Sequence, residues 1–138
     1  MYRVTICSGL FRGDFERERS NRALEHMLEA LTLLNVDYLR WFPETPNLYD
    51  SGVFYKREPR GEEKWTDIPV TLARGYGDCE DLACWLAAEY RVRRGLHAVP
   101  VFTWRKMANG GTLYHILTKL PSGEILDPSK RLGMLDGA

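Results

Sequence analysis

Apolar side chains recur at helical spacing in two stretches of the chain and at strand-like spacing in a third. Leu24, Met27, Leu28, Leu31 and Leu34 share one face of a 3.6-residue period. That predicts a helix from about Asn21 to Leu34 with Ser20 as its N-cap. Asn35 either ends this helix or starts a second short one through Trp41. A second helix is expected from Asp78 or Cys79 to Arg94, closed by Gly95. Cys79, Leu82, Ala83, Leu86, Ala87 and Tyr90 form its stripe, and Cys84, Trp85 and Ala88 lie on the other side. A helix that is apolar nearly all round sits in an interior. Tyr2–Cys7 is β-prone and reads as a strand. His97–Trp104 and Thr112–Leu120 read as two more, joined by a turn over 105–111 with Asn109-Gly110-Gly111 at its tip. Pro121-Ser122-Gly123 makes a second turn, Glu124–Asp127 a short third strand stopped by Pro128, and the last ten residues a loose tail.

The remaining stretches are polar or irregular. Phe11–Ser20 carries Gly13 and Asp14 as breakers. Phe42–Pro69 holds four prolines and two glycines, with a short strand expected inside Ser51–Lys56. It is long for a structureless loop, so it is expected to wrap the core or border a site and to bury its aromatic residues Trp41, Phe42, Tyr49, Phe54, Tyr55 and Trp65. Helix followed by an antiparallel meander is an α+β arrangement, a central buried helix on a sheet of three or more strands. One domain over 1–138 is expected: an N-terminal strand and helix (1–40), the irregular segment (41–66) and a core (67–138).

Composition narrows the function classes. The 138 residues carry 19 basic and 19 acidic side chains and are 44% hydrophobic. A nucleic-acid binder shows a basic surplus, and this chain has none. Its basic clusters, Arg17, Arg19 and Arg22, and Arg91, Arg93 and Arg94, sit close to acidic residues and read as solvated helix faces. Met1–Leu10 is interrupted by Arg3 and Ser8, which fits neither a signal peptide nor a membrane span. Three cysteines do not make a disulfide framework and fit a reducing, cytoplasmic setting.

Cys79 is the candidate nucleophile. It follows Arg74-Gly75-Tyr76-Gly77-Asp78 and opens the buried helix, where the helix dipole favours a thiolate. Asp78, Glu80 and Asp81 work against that charge, so a cationic partner is required. The bland alternative is a small buried hydrophobe, which is also the reading of Cys7 and Cys84. His26, His97 and His115 compete as partner. His115 stands mid-strand, and Asp127 makes its case. If 121–123 is a three-residue loop with Gly123 left-handed, Leu120 pairs with Glu124 and Leu117 with Asp127. His115 and Asp127 are then diagonal neighbours on one face. A two-residue loop would put Asp127 opposite Thr118, on the wrong face.

Three segments carry a resemblance. RGYGDCEDLA (74–83), YHI (114–116) and ILDPS (125–129) resemble the transglutaminase-like cysteine protease superfamily, over about 65–138. NLYDSGVFYKREP (47–59), with Glu63 and Trp65, resembles its small stand-alone members in bacteriophage and prophage genomes. One departure is Leu117, where the family often has an aromatic residue. The resemblance implies a papain-like core and a catalytic triad of Cys79, His115 and Asp127 acting through a thioester. The Cys79 backbone N–H and the Trp65 indole N–H would hold the oxyanion. It implies a thiol protease or amidase, a hydrolase of peptide or isopeptide bonds in protein substrates. No cofactor or metal is needed, no zinc-type spacing is present, and neither nucleic acid nor membrane is an expected partner. The same triad serves a transglutaminase or a small-acyl transferase, and the same fold without chemistry serves a structural component of a phage particle, which would be virion-associated.

Overall fold

A computed structural model describes residues 1–7, 17–59 and 63–135. Phe11–Ser20 up to residue 16, Gly61, and the end of the tail from residue 136 lie outside the described residues. Helix α1 runs Arg17–Trp41 and is followed by a 3-10 turn at Leu48–Asp50 and strand β1 at Phe54–Tyr55. Helix α2 (Ile68–Arg74), strand β2 (Tyr76–Gly77) and helix α3 (Cys79–Arg93) come next. The chain then forms β3 (Val99–Lys106), β4 (Thr112–Lys119), β5 (Ile125–Leu126) and a last helical turn α4 (Pro128–Arg131). Strands β3-β4-β5 form an antiparallel sheet, and β1 pairs with β2 in parallel. The protein is a mixed α+β fold in which α3 lies on the three-stranded sheet and against α1.

Burial on both sides of α3 organises the core. Leu82, Trp85, Leu86 and Ala88 join Val36, Leu39, Leu48, Val53 and Ile68 on one side. Cys79, Ala83 and Cys84 join Leu24, Leu28, Leu31 and Ile116 on the other. Thr118 Oγ1 donates to the Ala83 carbonyl at 2.9 Å and ties β4 to the middle of α3.

Several expectations change. Tyr2–Cys7 forms no strand, and Tyr2, Val4 and Ile6 are exposed: β-prone residues without a neighbouring strand have no ladder to join. Asn35 neither stops nor restarts a helix. It lies buried inside a continuous α1, where its Oδ1 accepts the Ile68 N–H at 2.9 Å. Ser20 is not an N-cap, because α1 already begins at Arg17. Trp41, Phe42 and Phe54 are exposed, so the irregular segment buries only part of its aromatic surface. That segment is also shorter than expected. Asp67 caps α2 by accepting the Val70 N–H, Pro69 sits in the first turn, and left-handed Gly75 closes it. The tail is not loose: Ser129 is buried, and the Tyr55 N–H donates to the Leu132 carbonyl at 2.9 Å. Among the described residues, no helix is long and apolar enough to cross a membrane.

Candidate active site

Two helix ends and a tight link place Cys79. Gly75 ends α2 at φ 83°, and β2 leads straight into α3. A Cβ on Gly77 would stand 3.1 Å from Asp81 Cβ and from Leu82 Cδ2, so only glycine allows this close approach. Asp78 and Asp81 form a capping box at the start of α3. Asp78 Oδ1 accepts the Cys79 N–H at 2.7 Å, and Asp81 Oδ2 accepts the Asp78 N–H at 3.0 Å. Asp81 is 1% exposed and also accepts from Thr66 N and Arg74 Nη2, both at 2.8 Å. One carboxylate thus ties the incoming loop, the end of α2 and the start of α3 together.

The Cys79 side chain is buried against β4. It packs with Ile116 of β4 in one apolar cluster. The thiol donates to Glu80 Oε2 at 3.5 Å. Burial pushes this thiol well above the ordinary cysteine range, and the Glu80 and Asp78 carboxylates push the same way. The Ile116 N–H and the positive end of α3 pull against them. The side chain is therefore a thiol at neutral pH.

His115 and Asp127 meet. Leu120 N donates to Glu124 O at 2.9 Å around the 121–123 loop, and Gly123 adopts φ 94°. Thr118 faces Leu126 and Lys119 faces Ile125. This is the three-residue register, and it brings Asp127 opposite Leu117 and diagonal to His115. His115 Nε2 lies 2.9 Å from Asp127 Oδ2, with the side chains 26% and 22% exposed. Asp127 Oδ1 accepts the Lys130 N–H at 3.2 Å and caps α4. The carboxylate thus has a separate partner for each oxygen, which fixes its plane. With Nε2 engaged, Nδ1 is the ring nitrogen left for a substrate or a thiol.

The other expected site residues fall less simply into place. The imidazole and the carboxylate are joined, while the Cys79 thiol bonds to Glu80 and not to the ring. The Cys79 N–H is engaged by Asp78. The Trp65 side chain packs against the cluster that holds Cys79 and Ile116, but its Nε1 donates to Glu63 Oε2 at 3.4 Å. Cys84 donates to the Leu28 carbonyl at 3.4 Å from a fully buried position, a structural role. His26 and His97 are exposed.

Sequence reasoning treated Glu80 only as a charge opposed to the thiolate and gave Glu58 no role. Glu80 is 4% exposed and contacts the sulfur directly. The glutamate that follows Cys79 lies buried because α3 is covered on every side of its first turn; the sequence signal was the all-round apolarity of that helix. Glu58, Glu63 and Glu80 bring carboxylate oxygens within 4.8 Å of one another, as do the ligand atoms of Asp78, Cys79 and Glu80. Comparison of the chain with protein-family models, with curated proteins and with solved structures gave no match.

Proposed function

We propose that this protein is a cysteine-nucleophile acyl-transfer enzyme on a papain-like, transglutaminase-like core, hydrolysing peptide or isopeptide bonds. The observation that carries the reading is the 2.9 Å contact between His115 Nε2 and Asp127 Oδ2, on the strand that Cys79 flanks. In this mechanism the thiol leaves Glu80 and turns to His115 Nδ1, which takes its proton as the sulfur attacks the substrate carbonyl carbon. Asp127 holds the Nε2–H and stabilises the imidazolium. The tetrahedral intermediate collapses, the C–N bond breaks, and the amine departs with the proton from His115. Water, deprotonated by His115, then attacks the thioester and releases the acid and the thiol. An amine in place of that water would make the reaction a transglutamination. The Cys79 N–H supports the oxyanion once Asp78 releases it, and the Trp65 indole is the second donor if it turns from Glu63.

One observation favours a second reading, a structural protein in which the site does no chemistry: the thiol is buried, protonated and bonded to Glu80. Labelling with a peptide-based thiol-reactive probe separates the two. Under the enzymatic reading, mass spectrometry finds Cys79 modified faster than exposed Cys7 at mildly acidic pH, and His115→Ala abolishes the difference. Equal or slower labelling of Cys79, unchanged by His115→Ala, rejects catalysis and leaves the structural reading. Release of peptide fragments or transfer to an added amine then tells hydrolysis from transfer.

A further inference from the structure

We propose that Glu58, Glu63 and Glu80 form a binding site for a hard divalent cation of the Ca2+ type, beside the thiol and separate from any chemistry it performs.

The geometry comes from three places in the chain. Glu58 follows β1, Glu63 precedes α2, and Glu80 lies in the first turn of α3. One carboxylate oxygen from each lies within 4.8 Å of the other two. Oxygens bound to Ca2+ at about 2.3–2.6 Å cannot stand further apart than about 5 Å, so the spacing is that of a coordination sphere. The donors are carboxylates alone, which suit Ca2+, Mg2+ or Mn2+ over softer metals. Mg2+ demands a tighter, near-octahedral shell of about 2.1 Å, so three side chains from separate segments suit Ca2+ better.

A second observation points to a ligand. Glu80 is 4% exposed, and its Oε1 is wholly buried with no hydrogen-bond partner. Glu58 Oε1 is also buried without a hydrogen bond, and Arg74 Nη1 approaches it only to 3.5 Å. A buried carboxylate oxygen left without a partner is costly, and Glu80 Oε1, on a side chain that shares its cluster with two further carboxylates, calls for a counter-charge. The surroundings already orient the ligands. Glu58 donates its N–H to Asp78 Oδ2 at 3.1 Å and accepts the Lys64 N–H at Oε2, at 2.6 Å. The Trp65 indole holds Glu63 Oε2. A cation here would clamp Glu58 and Glu63 onto the start of α3.

Trp65 supplies the probe. Tb3+ replaces Ca2+ at oxygen sites and luminesces when a nearby indole is excited. The full chain should give tryptophan-sensitised Tb3+ emission that Ca2+ displaces, and calorimetry with Ca2+ should show one site. Glu80→Gln, Glu58→Gln and Glu63→Gln should each weaken Ca2+ by about tenfold or more, with unchanged circular dichroism. Trp65→Phe should remove most of the emission and keep the calorimetric site. Cys79→Ser should leave binding intact, so the result is independent of the acyl-transfer reading. Absence of a Ca2+ site, full affinity in Glu80→Gln or, should that variant not fold, in both other glutamate variants, loss of binding in Cys79→Ser, or undiminished emission in Trp65→Phe would each overturn the proposal.

Discussion

Asp127 shows how much one side chain can be asked to do. Its Oδ2 meets His115 and its Oδ1 caps α4. Asparagine separates these duties. It caps a helix about as well as aspartate, so α4 should persist. Its amide N–H₂, turned to Nε2, would force the imidazole proton onto Nδ1, where it cannot accept from the thiol. Asp127→Asn should therefore slow probe labelling of Cys79 by about 10²–10⁴-fold, the range of general-base effects, with little change in thermal midpoint. Asp127→Ala should show both the slowing and a loss of about 1 kcal/mol from the missing cap. If the two variants label as fast as the parent, the pair does not serve Cys79. The partnership was legible in the sequence only conditionally, since a two-residue loop would have put Asp127 on the wrong face. Glycine at 123 supplies the left-handed residue that settles the register.

The elements around Cys79 depend on small residues and caps more than on propensity. Gly77 keeps a non-left-handed backbone, so its requirement is spatial: an added Cβ would meet Asp81, Leu82 and Thr71 at 3.1–3.3 Å. Gly77→Ala should cost about 1–3 kcal/mol through overpacking. The same shift should loosen the Asp78–Asp81 capping box and, with it, the placement of Cys79. Urea unfolding measures the first effect and probe labelling the second; an unchanged midpoint would mean that the α2–α3 link yields freely. The boundaries of α3 were readable because its start, Asp78, and its stop, Gly95, are strong local signals. Helix α2 was missed although Asp67, Pro69 and Gly75 are its local marks, because those same residues also mark a loop. Asn35 misled in the opposite direction. Its preference for helix ends yields to a tertiary hydrogen bond with the Ile68 N–H, seen only once α2 is placed beside α1.

For the whole molecule, α3 sits between two apolar clusters and carries acidic groups into the interior. Glu89 is one of them, with Oε1 accepting the Leu48 N–H at 2.7 Å. Burial raises its carboxyl above the ordinary 4.5, against the pull of the Leu48 N–H and of Arg93 and Arg94. A raised folded value means that the fold binds this proton more tightly than the open chain. The contribution is full below about 4.5 and is lost as pH rises through the raised value. Glu89→Gln keeps an acceptor for Leu48 and carries no charge. Its thermal midpoint should thus gain on the parent's as pH rises above about 4.5. A constant difference across that range would show that Glu89 titrates alike in both states. Glu29 runs the other way: its two hydrogen bonds from Arg91 lower its carboxyl, and that support is lost in acid. Local pattern alone determined the buried α3, the β3–β4 meander and the α+β class, since periodicity, caps and turn residues act over a few positions. Only the tertiary structure decided that β4 would flank the thiol, that Asp127 would reach the imidazole, and that Glu80 would lie buried beside Glu58 and Glu63. Those facts depend on which segments come together, and burial sets the cost of a charge only after that has happened.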